Sequence, residues 1–304
     1  MRFHSRGIGT SIGLCSAALL AACSSTQVIE PALTTISAEV AETTSATTAL
    51  ETTALETTAD TVSSTTVLDT SVILSGTLTA TIVDTHPHDG DAFTQGLEIF
   101  EGRFIEGTGL YGESDRRIVD IESGEVVLIE PIDAELFGEG ITVVGDEVLQ
   151  ITWKAGVVIR SDATTLAETG RSTYEGEGWG LCFNGETLAM SNGSASLAFR
   201  DTETFGVVRT VDVTMDGSPV ELLNELECVN GQILANVWLS DLIVVIDPVS
   251  GEVVATLDGS SLRPTGLATD DSGFALNGIA HDPETGRFFL TGKRWPVIYE
   301  VELS

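Results

Sequence analysis

Residues 95–109, QGLEIFEGRFIEGTG, contain two short apolar stretches joined by a turn at Glu101 and Gly102. Four later stretches begin the same pattern, namely EGITVV from 139, WGLCFN from 179, NELECV from 224 and NGIAHD from 277. In every copy a turn, a second strand and a third strand follow, and four copies add a fourth strand. The copies start 44, 40, 45 and 53 residues apart. A period of this length with about four strands is typical of a β-propeller blade.

We therefore predict an all-β fold, a five-bladed β-propeller over residues 73–304. The fifth copy ends after three strands, and the segment TLTATIVD at 77–84 is expected to supply its fourth. An N-terminal strand that closes the last blade would leave the ring without an exposed edge. The additional residues before the fifth copy, 259–275, predict an extended loop on one face.

Two segments precede the predicted domain. Residues 1–22 combine Arg2 and Arg6 with an apolar stretch and the small residues LAA before Cys23, which is typical of a lipoprotein signal peptide. The alternative is an ordinary signal peptide with an incidental cysteine. Residues 23–72 are rich in Thr, Ser, Ala and Glu, and they predict a disordered tether. We expect an extracytoplasmic lipoprotein that faces outward and touches the membrane only through a lipid on Cys23.

The net charge of −32 argues against a nucleic-acid partner and against docking on anionic lipid. Two cysteines, Cys182 and Cys228, lie inside the predicted domain. In an oxidising compartment they could form a disulfide, and two buried free thiols are an equal alternative. We expect a monomer.

The period also predicts where a site should lie, because the first strand of each blade lines the central channel. The first letters of the five copies therefore meet at one mouth: Gln95, Glu139, Trp179, Asn224 and Asn277. The ends of the second strands point to the same region: Thr108, Trp153, Asn192, Trp238 and Lys293. Large, polar and charged side chains replace one another at these equivalent positions. This pattern predicts a pocket with aromatic walls and a few convergent polar groups, rather than tryptophans that only fill the core.

At these positions the sequence resembles the plant-type glutaminyl-peptide cyclotransferases, which also occur in bacteria. The resemblance is carried by HDGDAFTQGL (88–97), TGLYG (108–112), LFGEGIT (136–142), ITW (151–153), EGWGL (177–181), LNELE (223–227), ANVW (235–238), LNGIA (276–280) and TGKRWP (291–296). It implies a five-bladed propeller that converts the N-terminal glutamine of peptides or proteins to pyroglutamate and releases ammonia. It also implies an active site formed by Phe93, Gln95, Phe137, Glu139, Trp153, Trp179, Asn224, Trp238 and Lys293.

The chemistry of this reaction fits those residue types. Glu139 is the only acid among the channel-facing first letters, so we expect it to serve as general base and then general acid. Lys293, Asn224 and Gln95 are suitable donors to the amide or to a developing oxyanion. Five aromatic residues would bind the substrate: Phe93, Phe137, Trp153, Trp179 and Trp238. Desolvation would raise the pKa of Glu139 and the Lys293 ammonium would lower it, and the residues alone leave the balance open.

We expect no metal and no cofactor. GTGLYG at 107–112 matches a dinucleotide-binding pattern, but a strand rather than a helix follows it. HPHD at 86–89 contains two histidines, yet the repeat places no third ligand beside them. The alternative function is a noncatalytic propeller that binds a peptide or glycan, and it would not need Glu139 and Lys293 together. A metal-dependent hydrolase is a weaker alternative.

Overall fold

The computed structural model of the protein describes residues 73–268 and 271–304. The predicted signal peptide, Cys23 and the tether at 23–72 lie outside the described residues. Within the described part of the chain, no helix is long and apolar enough to cross a membrane. The described residues form an almost entirely β structure with a five-bladed propeller arrangement, which confirms the predicted fold class.

The first two strands lie at Gly76–Leu78 (β1) and Ala80–Pro87 (β2). Blade 1 contains β3 to β6, at Thr94–Phe100, Arg103–Thr108, Asp115–Asp120 and Val126–Pro131. Blade 2 contains β7 to β10, at Gly138–Val144, Glu147–Thr152, Val157–Asp162 and Glu168–Thr173. Blade 3 contains β11 to β14, at Leu181–Phe183, Leu188–Met190, Ser196–Arg200 and Val207–Asp212.

A small hairpin, which the repeat does not predict, follows at Thr214–Met215 (β15) and Ser218–Pro219 (β16). Blade 4 contains β17 to β20, at Leu223–Val229, Gln232–Val237, Leu242–Ile246 and Val253–Asp258. Two 3-10 helices lie in the loop predicted at 259–275, at Ser260–Leu262 and Ser272–Phe274. Blade 5 contains β21 to β23, at Leu276–Asp282, Arg287–Gly292 and Val297–Leu303.

The last blade takes its outer strand from the beginning of the domain. Strand β2 pairs antiparallel with β23, from Ala80 opposite Leu303 to Pro87 opposite Val297. Strand β1 instead pairs in parallel with β20, the outer strand of blade 4. The single strand expected at 77–84 is therefore wrong in detail. The chain leaves one sheet and enters the next at Thr79, so this segment connects blades 4 and 5.

The inner strands approach one another closely where the repeat has glycine as its second letter. A Cβ on Gly140 would lie 2.5 Å from the Leu181 nitrogen, and one on Gly180 would lie 2.0 Å from the Asn224 oxygen. Neither distance is compatible with a side chain, so glycine allows each inner strand to pack against the next blade. This packing brings the first letters of neighbouring copies together.

Blade 4 has Glu225 at the equivalent position, and its carboxylate contacts two other blades. It accepts hydrogen bonds from the backbone nitrogens of Ile279 at 3.0 Å and Leu97 at 3.4 Å, in blades 5 and 1. Burial raises the pKa of Glu225 well above its ordinary value, and the charge of Glu98 raises it further, against the lowering effect of those two hydrogen bonds. A single side chain thus joins three blades.

Blades 3 and 4 are joined covalently. A disulfide links Cys182 in β11 to Cys228 in β17, which settles the alternative that the residues alone left open. Around it, a buried apolar cluster fills the space between the two blades, with Phe199, Leu223 and Val244 among its members. The inner strands that lead to Trp179 and Asn224 are therefore held together by both a covalent bond and packing.

Candidate active site

A cavity of about 200 Å³ opens where the inner strands begin. Its lining contains all nine site residues expected from the sequence: Phe93, Gln95, Phe137, Glu139, Trp153, Trp179, Asn224, Trp238 and Lys293. Leu110 and Ser272 complete the lining. Residues from all five blades thus meet in one pocket.

The inner strands supply the polar floor of the pocket. Gln95, Glu139 and Asn224 are each the second residue of an inner strand, and all three are buried. Asn277 has the same place in blade 5 but does not line the cavity; its amide donates to the Gln95 Oε1 atom at 3.3 Å and to the Thr94 carbonyl at 2.9 Å. This contact orients Gln95 so that its own amide N–H groups remain available as donors.

The second strands supply the side walls through a backbone contact that recurs in the blades. Trp153, Trp238 and Lys293 are each the first residue after a second strand. Their backbone nitrogens donate to the residue that precedes the inner strand of the same blade, at 3.0, 2.9 and 2.9 Å respectively. Thr108 and Asn192, which the sequence pattern placed at the ends of the second strands in blades 1 and 3, do not line the cavity. In blade 1 the recurring backbone contact is made by Gly109, whose nitrogen donates to the Phe93 carbonyl at 2.8 Å.

The aromatic side chains form two edge-to-face groups. In the first, the Phe137 ring lies 5.5 Å from Trp153 and 6.2 Å from Phe93, measured between ring centroids. In the second, Trp179 and Trp238 lie 5.3 Å apart at an interplanar angle of 88°. These rings give the cavity a largely apolar wall, and their role in substrate binding stays a prediction.

Burial is the main cause of the pKa shifts of the two charged groups in the pocket. Desolvation raises the pKa of Glu139 well above its ordinary value, although the charge of Lys293 opposes this effect. Desolvation likewise lowers the pKa of Lys293 to about 8, against the raising effect of Glu139. The two groups interact through space rather than through a hydrogen bond. The pocket therefore holds a carboxyl group whose pKa is raised and an amine whose pKa is lowered, and desolvation is the main cause of both shifts.

Comparison with known proteins identifies the family of this chain. A family model described as glutamine cyclotransferase matches residues 37–303. The chain belongs to the glutamine cyclotransferase family. A glutaminyl-peptide cyclotransferase of Arabidopsis thaliana is 38% identical over 227 residues, which are 73% of this chain and 71% of the relative. A crystal structure of Myxococcus xanthus glutaminyl cyclase is 37% identical, with a TM-score of 0.71, and the match covers 76% of this chain and 99% of that chain.

Three residues around the pocket of this glutamine cyclotransferase were not expected from the sequence. Leu110 has a positive φ of 91°, and its place in the motif TGLYG could have indicated it. Ser272 reaches the pocket from the loop at 259–275, which has no equivalent in the other copies and hence no register. Glu177 lies outside the lining but contacts it, since its carboxylate accepts hydrogen bonds from Trp153 and Trp179.

The two remaining sequence patterns have structural explanations in this family member. The GTGLYG segment is followed by strand β5, as expected. In HPHD, the His88 imidazole lies 3.1 Å from the Glu106 carboxylate, and both side chains are buried. The His86 imidazole lies 3.2 Å from Glu300, which also faces the Arg287 guanidinium at 3.8 Å. Both histidines therefore have carboxylate partners outside the pocket.

Proposed function

We propose that this protein is a glutaminyl-peptide cyclotransferase, which converts the N-terminal glutamine of peptides or proteins to pyroglutamate and releases ammonia. The observation that carries the proposal is the pair of Glu139 and Lys293, which are both buried, line the same aromatic pocket and influence each other through their charges. The names of the Arabidopsis and Myxococcus relatives support the same reaction.

The size of the pocket suits the end of a chain. About 200 Å³ is less than the roughly 300–1,000 Å³ of sites for drug-sized ligands. The pocket can admit one terminal residue, while the rest of the peptide remains outside. Inside it, the aromatic walls would hold the flexible glutamine side chain folded back on its own α-amine. Restricting the substrate to such a near-attack geometry removes much of the entropic part of the barrier.

The reaction itself needs one group that moves protons. The α-nitrogen attacks the side-chain amide carbon, a C–N bond forms, and the nitrogen loses a proton to the Glu139 carboxylate. The bond from that carbon to the amide nitrogen then breaks, and Glu139 returns the proton so that neutral ammonia leaves. A carboxyl group whose pKa is raised above its ordinary value by desolvation is a stronger base than one in water, which suits both steps. All atoms of the substrate appear in the five-membered lactam and the ammonia, so no further reactant is required.

The remaining polar groups stabilise the charge that develops on the carbonyl oxygen. The Lys293 ammonium and the amide groups of Asn224 and Gln95 line the same cavity. Donors held in place inside a desolvated site stabilise an oxyanion more strongly than water does. A noncatalytic peptide-binding or glycan-binding propeller would not need a buried carboxyl group and a buried amine in one pocket, and no observation favours that alternative.

A direct assay tests the proposal. We would incubate the purified domain with a Gln-initiated peptide, the same peptide with an acetylated α-amine, and an Nδ-methylglutamine analogue, with and without a chelator. We expect ammonia and a pyroglutamyl product from the first peptide alone, at the same rate with chelator. A domain that binds the first peptide but releases no ammonia would instead be a binding protein.

We propose further that the enzyme acts outside the cytoplasm as a monomer anchored through a lipid on Cys23. The support is the sequence of residues 1–23, which lies outside the described part of the chain. Metabolic labelling with a radioactive fatty acid should mark the wild type and not a Cys23→Ala variant. Equal release of both proteins into the medium would contradict the anchor, and sedimentation of the soluble domain would measure its oligomeric state.

A further inference from the structure

The aromatic wall is divided between blades. Phe137 and Trp153 belong to blade 2, whereas Trp179 and Trp238 belong to blades 3 and 4. Within each of the two edge-to-face groups, neighbouring ring centroids lie at most 6.2 Å apart. Among the described residues, no ring contact of this kind joins Trp153 to Trp179. Backbone hydrogen bonds link the two halves, from the Gly140 nitrogen to the Trp179 carbonyl at 2.8 Å and from the Gly178 nitrogen to the Trp153 carbonyl at 3.0 Å. These bonds position the backbone and leave the orientation of the two indole rings to a side-chain contact.

Glu177 lies at this junction. Its Oε2 atom accepts a hydrogen bond from the Trp153 indole nitrogen at 2.8 Å and another from the Trp179 indole nitrogen at 3.2 Å. Its second oxygen faces the Lys154 ammonium at 3.6 Å, and this ammonium lies 3.7 Å from the centre of the Trp153 ring. One carboxylate thus holds both indoles by their only polar atoms.

We infer that Glu177 is a positioning residue for the cyclisation, which joins the two halves of the aromatic wall and sets the orientation of Trp153 and Trp179. This inference rests on the proposed function. An indole donates a single hydrogen bond, so a fixed acceptor defines its rotation about the side-chain torsions. Hydrogen bonds to an ionised acceptor are stronger than bonds between neutral groups, which suits an acceptor that must hold two rings.

The charge of Glu177 adds a second, separable effect. Burial alone would raise the pKa of Glu177, but its bonds to the two indoles and to Lys154 outweigh this and hold the pKa below its ordinary value. The resulting anion contributes to the raised pKa of Glu139, after desolvation and against Lys293. Tyr174 is the other titratable group that interacts with Glu139. Removing the Glu177 charge should therefore lower the pKa of Glu139.

Two substitutions separate these effects. Glu177→Ala removes both the acceptor and the charge, whereas Glu177→Gln retains an oxygen that can accept from the indoles. We expect Glu177→Ala to reduce kcat/KM about tenfold, since the lost bonds are charge-assisted. We expect Glu177→Gln to restore most of kcat/KM at the optimum, while the acidic limb of its pH profile moves to lower pH. Exposed Glu175, two residues earlier, provides matched controls, and both Glu175→Ala and Glu175→Gln should behave as the wild type.

A readout independent of turnover completes the test. The chain has four tryptophans, so a two-dimensional ¹H–¹⁵N spectrum should show four indole signals. In both Glu177 variants the signals of Trp153 and Trp179 should move, whereas that of Trp295, which donates to the Phe274 carbonyl at 3.0 Å, should stay. Unchanged indole signals together with wild-type kinetics in Glu177→Ala would overturn the inference. If Glu177→Ala does not fold, wild-type indole signals and an unmoved acidic limb in Glu177→Gln would overturn it. A wild-type protein that releases no ammonia would instead refute the proposed function.

Discussion

Replacing Lys293 by methionine should abolish turnover and at the same time stabilise the folded protein at neutral pH. The pKa of Lys293 falls from 10.5 to about 8 on folding, mainly because the ammonium loses its hydration. At about 1.4 kcal/mol per pH unit, keeping this residue charged in the pocket costs about 3 kcal/mol. Methionine fills a similar volume without the charge. For a domain of this size the gain corresponds to a Tm increase of roughly 6–12 °C.

The dependence on pH gives this prediction its sharpest test. Because the pKa of Lys293 is lower in the folded protein than in the unfolded chain, the wild type gains stability as pH rises from about 8 to about 10.5. The advantage of Lys293→Met should therefore be full below pH 8 and should disappear above about pH 10.5. Thermal unfolding followed by circular dichroism at pH 7 and pH 10.5 measures both values. Lys154 is the only other lysine in the chain and its side chain is half exposed, so Lys154→Met serves as the control and should bring no gain. A Tm of Lys293→Met at or below the wild-type value at pH 7, or an advantage that does not change with pH, would refute the reasoning.

Three further predictions concern other parts of the domain. Glu139→Gln should abolish ammonia release while the circular dichroism spectrum stays that of the wild type. If the variant keeps most of the activity, Glu139 is not the general base. Glu225→Gln keeps an oxygen that accepts the backbone hydrogen bonds but cannot ionise. Because folding raises the pKa of Glu225, the wild type loses stability as pH rises, so the gain from the substitution in urea unfolding should be absent below about pH 4 and should grow with pH. A variant less stable than the wild type at pH 8 would contradict this account. Replacing both Cys182 and Cys228 by alanine opens a loop with a sequence separation of 46 and should lower the free energy of unfolding by about 4 kcal/mol, and an unchanged urea midpoint under oxidising conditions would argue against the bridge.

The sequence period was sufficient to locate the pocket because rotation relates the blades of a propeller. Glu139 and Asn224 are far apart in the chain, but each is the second residue of an inner strand, and equivalent positions meet at the axis. The same argument placed Trp153, Trp238 and Lys293 after the second strands. It failed for Asn277, which has the correct register but does not line the cavity and instead donates a hydrogen bond to Gln95. Register determines height along the axis and not which way a side chain points.

Features that depend on contacts between unlike segments could not be predicted in this way. The pairing of Cys182 with Cys228 depends on the distance between two neighbouring blades, which the spacing of the copies does not contain. Ser272 comes from a loop that occurs only before the fifth copy. Glu177 stands in a motif that indicated the family, yet its role depends on where the indole nitrogens of Trp153 and Trp179 point, and that is a property of side-chain rotation.

The closure of blade 5 by β2 has a consequence for the order in which the domain can fold. Ala80 pairs with Leu303, so a strand at the start of the domain finds its partner only after all the intervening blades have been synthesised. A chain that emerges N-terminus first can assemble blades 1 to 4 from local contacts, but β2 keeps an unpaired edge until β23 is available. Unpaired edges are sites of association between incomplete chains. Premature termination before residue 297 should therefore yield a protein that aggregates, rather than a smaller propeller with a working pocket.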